Sequence, residues 1–165
     1  MATRKYAFLI GALVIAGIFA CSQTTTAQQK LMADGKLGLS FLTGGGSSTG
    51  LLLGGALDIP IDKKLFVRPE LNITTHPGTP IELAGELKYN LDVESKNTYY
   101  IAGGLGLWFH TGGTDLGLDF TGGTIFPLSN SNLLIPAEIR LGPIFYSGQS
   151  VFQIALTSGV RFSMP

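Results

Sequence analysis

Alternation of apolar and polar side chains along one segment after another is the pattern that most narrows what this chain can fold into. In Leu65-Phe66-Val67-Arg68-Pro69-Glu70-Leu71-Asn72-Ile73 the odd positions are apolar apart from a proline, while Arg68, Glu70 and Asn72 occupy even ones. Successive side chains of a strand point to opposite faces, so one face is greasy and the other carries charge. The same split recurs in Ile81-Glu82-Leu83-Ala84-Gly85-Glu86-Leu87-Lys88-Tyr89-Asn90 and in Ile135-Pro136-Ala137-Glu138-Ile139-Arg140-Leu141. A soluble antiparallel sheet with charge in water shows this pattern too, so other features have to decide.

The first of these is the start of the chain. Arg4 and Lys5 precede an uncharged run from Tyr6 to Ala20, too short to span a bilayer comfortably and followed at once by polar residues. Residues 1–27 are expected to be an export signal. Thr25-Thr26-Ala27 offers small residues for cleavage before Gln28; Ile18-Phe19-Ala20-Cys21 is an imperfect lipoprotein box that competes with it. Cleavage after Ala27 would remove Cys21, the one cysteine, and with it thiol chemistry and Cys metal sites. Residues 28–35 then read as a short periplasmic tail, and 36–165 as a single domain.

Composition bounds what that domain can be. With 23 Gly, 13% charged residues and a mean hydropathy of +0.33, the chain is unusually apolar and rich in turns. Yet past residue 27 no apolar run approaches the roughly 20 residues of a membrane helix. If an exported chain of this kind lives in a membrane, strands must cross it, and a closed barrel leaves no edge unpaired. The net charge of +0, without a basic block, makes nucleic acid an unexpected partner.

Eight strands are predicted over 36–42, 51–59, 65–73, 81–91, 98–109, 116–126, 133–145 and 151–162. Turn clusters separate them at Gly44 to Ser48, Asp62 to Lys64, His76 to Pro80, Glu94 to Asn97, Thr111 to Asp115, Ser129 to Asn132 and Ser147 to Ser150. The expectation is an all-β fold, an eight-stranded antiparallel up-and-down transmembrane β-barrel with both termini on one side. On the greasy parity, Tyr89, Tyr99, Phe126 and Phe162 fall near the periplasmic end and Phe41, Phe109, Phe145 and Phe152 near the other, as two aromatic girdles should. The opposite parity carries Arg68, Glu70, Glu82, Glu86, Lys88, Asp119, Glu138, Arg140 and Arg161, which in so narrow a barrel have to pair inside it as a structural charge network.

At these same segments the chain resembles the small bacterial outer-membrane β-barrel domain family, OmpX-like and OmpA-like. Leu65-Phe66-Val67-Arg68-Pro69-Glu70-Leu71, Ile81-Glu82-Leu83 and Leu87-Lys88-Tyr89-Asn90 look like its third and fourth strands, and the likeness covers roughly residues 34 to 162. The resemblance implies an outer-membrane barrel and little about its task. Members tend to carry long outer loops, whereas all the connections here are short.

Chemistry is sparse. His76 and His110 are the two histidines, expected as solvated interfacial side chains in a loop and at a strand end. A lipid-modifying barrel hydrolase would pair its His with a Ser two residues on, where this chain has Gly112. Gly103-Gly104-Leu105-Gly106 precedes no helix, so these glycines are read as relieving crowding inside the barrel rather than as a phosphate loop. No catalytic, cofactor or metal residues are assigned. The expected partners are outer-membrane lipid and, during biogenesis, the assembly machinery. The expected role is structural or envelope-maintaining without catalysis; a narrow passive pore or small-solute-binding barrel is the alternative, and the hydrolase the third reading.

Overall fold

The computed structural model describes residues 30–164, apart from 45, 79, 130–132 and 147–148. The expected export signal over 1–27, with its competing processing points at Ala27 and Cys21, lies outside the described residues. So do the first two residues of the expected tail and, from the turn clusters, Gly45, Thr79, Asn130, Ser131, Asn132, Ser147 and Gly148.

Eight strands run β1 (Met32–Thr43), β2 (Ser48–Pro60), β3 (Leu65–Thr74), β4 (Ile81–Asn90), β5 (Thr98–His110), β6 (Gly113–Pro127), β7 (Leu134–Tyr146) and β8 (Gln149–Ser163). Each pairs antiparallel with its sequence neighbour, and β1 closes on β8 to make a barrel. Sequential hairpins are what short, Gly- and Ser-rich connections permit, since parallel neighbours need long crossovers. Followed from strand to strand, the register that leaves β1 at Met32 returns to it at Leu42. That stagger tilts the strands by roughly 40° and gives a backbone radius of about 8 Å, a lumen that side chains can fill.

Burial follows the alternation. Along β4 exposure switches residue by residue, from exposed Ile81 to buried Glu82 and on to Tyr89. Here the buried face is the polar one: Arg68, Glu82 and Lys88 are each 0% exposed, while Leu37, Leu53, Leu87 and Phe120 on the outside are all more than half exposed. A soluble sheet would have the reverse arrangement, with its apolar face inward. The inversion is that of a transmembrane β-barrel.

Several expected boundaries move by one to four residues, Ser48, Gln149 and Ser150 passing from expected turns into β2 and β8, and two of the shifts bring a carboxylate into the sheet. β1 starts at Met32, so residues 32–35, expected in the periplasmic tail, belong to the barrel; Ala33-Asp34-Gly35 reads as a turn, yet Asp34 faces the lumen, where it meets Arg161. The connection between β5 and β6 is only Thr111 and Gly112, with Gly113 at φ 153°, because Asp115 is drawn into β6 opposite Trp108 and binds His110.

Candidate functional site: the lumen charge network

Nearest the termini, Arg161 grips Asp34 with two hydrogen bonds, Nε to Oδ1 and Nη2 to Oδ2, both 2.6 Å, and reaches Asp58 Oδ2 at 2.7 Å. Lys88 Nζ donates to the same Asp58 oxygen at 2.5 Å and lies 4.0 Å from the centre of the Tyr100 ring. Two cations thus share one oxygen of this carboxylate, which satisfies lone pairs that burial would otherwise leave costly.

Arg68 is the hub of the next level. Its Nε is 2.8 Å from Glu70 Oε1, its Nη2 contacts Glu138 Oε1 and lies 3.2 Å from Asp34, and its Nη1 donates to the Tyr100 hydroxyl at 3.1 Å. Tyr100 passes its own proton on, donating to Glu138 Oε1 at 2.5 Å. Lys36 closes the level, 2.8 Å from Glu70 and 3.2 Å from Glu138.

Above it Arg140 contacts Glu70, binds Glu82 Oε2 at 2.9 Å and stands 3.8 Å from Glu86. Asn72 donates to Glu82 at 2.8 Å and Thr121 to Glu86 at 2.7 Å. Glu70 pairs with three cations on three strands, so the levels form one network rather than separate pairs.

At the end away from the termini His76 turns inward from the β3–β4 connection. It is 2% exposed, not the solvated interfacial side chain expected, because Ser48 Oγ lies 2.7 Å from its Nδ1 and Ser40 Oγ 3.0 Å from its Nε2, while Gln153 donates to that same Ser40 oxygen. Burial holds its titration below the ordinary histidine range. His110 sits at the end of β5 and is partly exposed; its Nδ1 accepts from the Gly112 amide at 3.1 Å, which leaves Nε2–H to donate to Asp115 at 2.6 Å.

Space is allotted by glycine. A Cβ on Gly54 would lie 2.0 Å from Asn72 Oδ1, and one on Gly123 would lie 2.3 Å from the Tyr100 ring. Trp108 Nε1 would stand 3.1 Å from a Cβ on Gly117, and Asp119 Oδ2 2.8 Å from one on Gly106. Each of these four lumen side chains is seated in the gap left by a glycine on a neighbouring strand, so these glycines mark filled space. A Cβ on Gly104 would strike the Gly85 carbonyl oxygen at 2.0 Å, a close backbone approach that only glycine allows.

Solved structures share this architecture. Neisserial surface protein A matches with a TM-score of 0.70 at 16% identity, over 81% of this chain and 97% of that one. The N-terminal β-barrel domain of Pseudomonas aeruginosa OprF matches with a TM-score of 0.52 at 10% identity, over 81% and 98%. The fold is that of the small outer-membrane β-barrels. No family model matches the chain, and no curated protein matches it.

Within this outer-membrane-barrel fold Arg68, Glu70, Glu82, Glu86, Lys88, Glu138, Arg140 and Arg161 all lie inside, within one connected set of contacts. Sequence reasoning missed Asp34, Lys36 and Asp58. Their strands read poorly because Gly35, Gly38, Gly54, Gly55 and the run Leu51-Leu52-Leu53 erase the alternation; parity counted from Leu37 and Leu39 would have found Lys36. The eight aromatics Tyr89, Tyr99, Phe126, Phe162, Phe41, Phe109, Phe145 and Phe152 stand on the outer parity, four toward the termini and four toward the opposite end. A hydrolytic triad needs a hydroxyl and a carboxylate on one imidazole. Among the described residues His76 binds two hydroxyls and no carboxylate, and His110 a carboxylate and no hydroxyl.

Proposed function

We propose that this chain is a small integral outer-membrane protein with a structural, envelope-maintaining role, whose lumen is a plug and not a conduit. The observation that carries this reading is the network itself. The space over Gly54, Gly106 and Gly117, along which a water path would have to run, is taken by Asn72, Glu82, Asp119 and Trp108. An ion crossing such a lumen would have to displace protein cations and carboxylates already in contact, at several kcal/mol for each charge it strands.

Residence in the bacterial outer membrane after export by the N-terminal leader agrees with the apolar outer band, its aromatic ends and the shared fold. Lipid is then the partner of that band, and the assembly machinery its partner during insertion. Short connections leave little loop surface for adhesion, and neither histidine carries a triad, so the reading assigns no catalysis. Single-channel recording on the barrel in a planar bilayer tests it. No stable conductance is expected at neutral pH, and a reproducible open channel would overturn the plug in favour of a passive pore.

A further inference from the structure

Seven buried carboxylates share the lumen with five Lys and Arg side chains. The shortfall is concentrated at one place. Each of the other six has a cation within 4.0 Å, whereas Asp119, 2% exposed on β6, has none among the described residues. Its Oδ2 and Glu82 Oε1 of β4 both point into the space over Gly106. Glu82 Oε1 and Asp119 Oδ2 receive no hydrogen bond from any other group, and beside them Trp108 Nε1 of β5 donates none. Trp108 is 1% exposed and Glu82 0%. All three atoms converge over Gly106, at 2.8 Å for Asp119, 3.1 Å for Glu82 and 3.4 Å for Trp108 from the point its Cβ would occupy.

Two ionised carboxylates are acceptors only, and in contact they repel unless a positive charge lies between them. The described residues supply none on that side. Arg140 of β7 and Asn72 of β3 both bind the far oxygen, Glu82 Oε2, and Arg140 is shared with Glu70 and Glu86; Thr121 of β6 serves Glu86, and Lys36 of β1 is spent on Glu70 and Glu138. The missing charge therefore comes from solution. A metal ion suits the site badly, because an indole N–H is a donor aimed at the same point and cannot ligate.

We propose that Glu82 and Asp119 form a proton-binding site, with one solvent proton held between Glu82 Oε1 and Asp119 Oδ2 and the Trp108 Nε1–H donating to the same pair. The barrel then folds with one more proton than its count of paired charges requires. That proton lowers the excess of buried carboxylates over cations from two to one.

Infrared spectroscopy on the barrel refolded from the full chain into lipid vesicles reads this out. A protonated-carboxyl carbonyl band is expected at neutral pH, shifted when aspartate is labelled with carbon-13 at the carboxyl, and unchanged when sodium is replaced by choline. Asp119→Asn should remove the band, since Glu82 is then an ordinary carboxylate on Arg140, while a heat-modifiability gel shows the variant folded. Absence of the band in the wild type, a band indifferent to aspartate labelling, one that persists in folded Asp119→Asn, or one that depends on sodium would each overturn the proposal. The labelling arm decides the matter even if Asp119→Asn does not fold.

Discussion

Replacing Arg68 by alanine should be among the most damaging single changes this barrel can suffer. Arg68 is 0% exposed and touches Glu70, Glu138, Asp34 and the Tyr100 hydroxyl. None of the three carboxylates would be left wholly bare, for Lys36 stays on Glu70 and Glu138 and Arg161 stays on Asp34. The loss therefore amounts to about one uncompensated buried charge rather than three, and such a loss costs roughly 3 to 5 kcal/mol. At about 1.4 kcal/mol per decade, that is between two and four orders of magnitude in the folding equilibrium. Urea unfolding in lipid vesicles can be followed by fluorescence, because the one tryptophan, Trp108, is buried inside the lumen. The double variant Arg68→Ala, Glu138→Gln removes a partner charge as well and should recover at least about 1 kcal/mol of the loss, as interacting sites do and independent ones do not. A single-variant cost below about 1 kcal/mol, or a double variant whose cost is the simple sum, would refute the view that these groups form one cooperative network.

The outside and the mouth of the barrel give further expectations. Leu87, 56% exposed near the middle of β4, should cost about 2 to 4 kcal/mol as Leu87→Arg in vesicles, against a small effect of Ala84→Ser on the inner face; equal tolerance would argue against a lipid-facing band. Burial lowers the His76 titration, so the folded barrel binds fewer protons there than the unfolded chain. The stability that neutral His76 contributes is complete above the unfolded value near 6.5 and is lost as pH falls from there through the lower folded one. Unfolding measured at pH 7 and pH 5 should show a larger drop for wild type than for His76→Gln. Finally, Ser47→Cys should react with an impermeant thiol reagent on intact cells and Ser95→Cys should not, both positions being exposed and at opposite ends; reaction at Ser95 alone would invert the orientation.

Much of the barrel was readable before its coordinates, and the reason is local. Where strands alternate cleanly, as in β3, β4 and β7, parity alone separates Arg68, Glu82 and Arg140 from Leu71, Leu87 and Ile139. Tyr99 and Tyr100 show the sharpness of that rule, since adjacent rings end up outside among the aromatics and inside on Lys88. Partner choice was not readable, because it depends on the stagger of all eight strands: Arg161 and Asp34, 127 residues apart, meet only once β1 closes on β8. The inward turn of His76 was hidden for a different reason. A histidine before Pro77-Gly78 reads as a turn residue, and nothing nearby in sequence announces the two serines of β1 and β2 that receive it.

The glycine seats have a consequence for how such a lumen can change over time. An alanine at Gly123 collides with Tyr100, and one at Gly54 with Asn72, so neither site is free to vary by itself. Bulk has to be exchanged between strands in one transaction, a methyl gained on β6 for a ring surrendered on β5. Inheritance in this interior should therefore be legible as couplings between partners on adjacent strands, with Gly123 tracking Tyr100 and Gly117 tracking Trp108, while the greasy outer positions drift among leucine, isoleucine and valine with no memory of their neighbours.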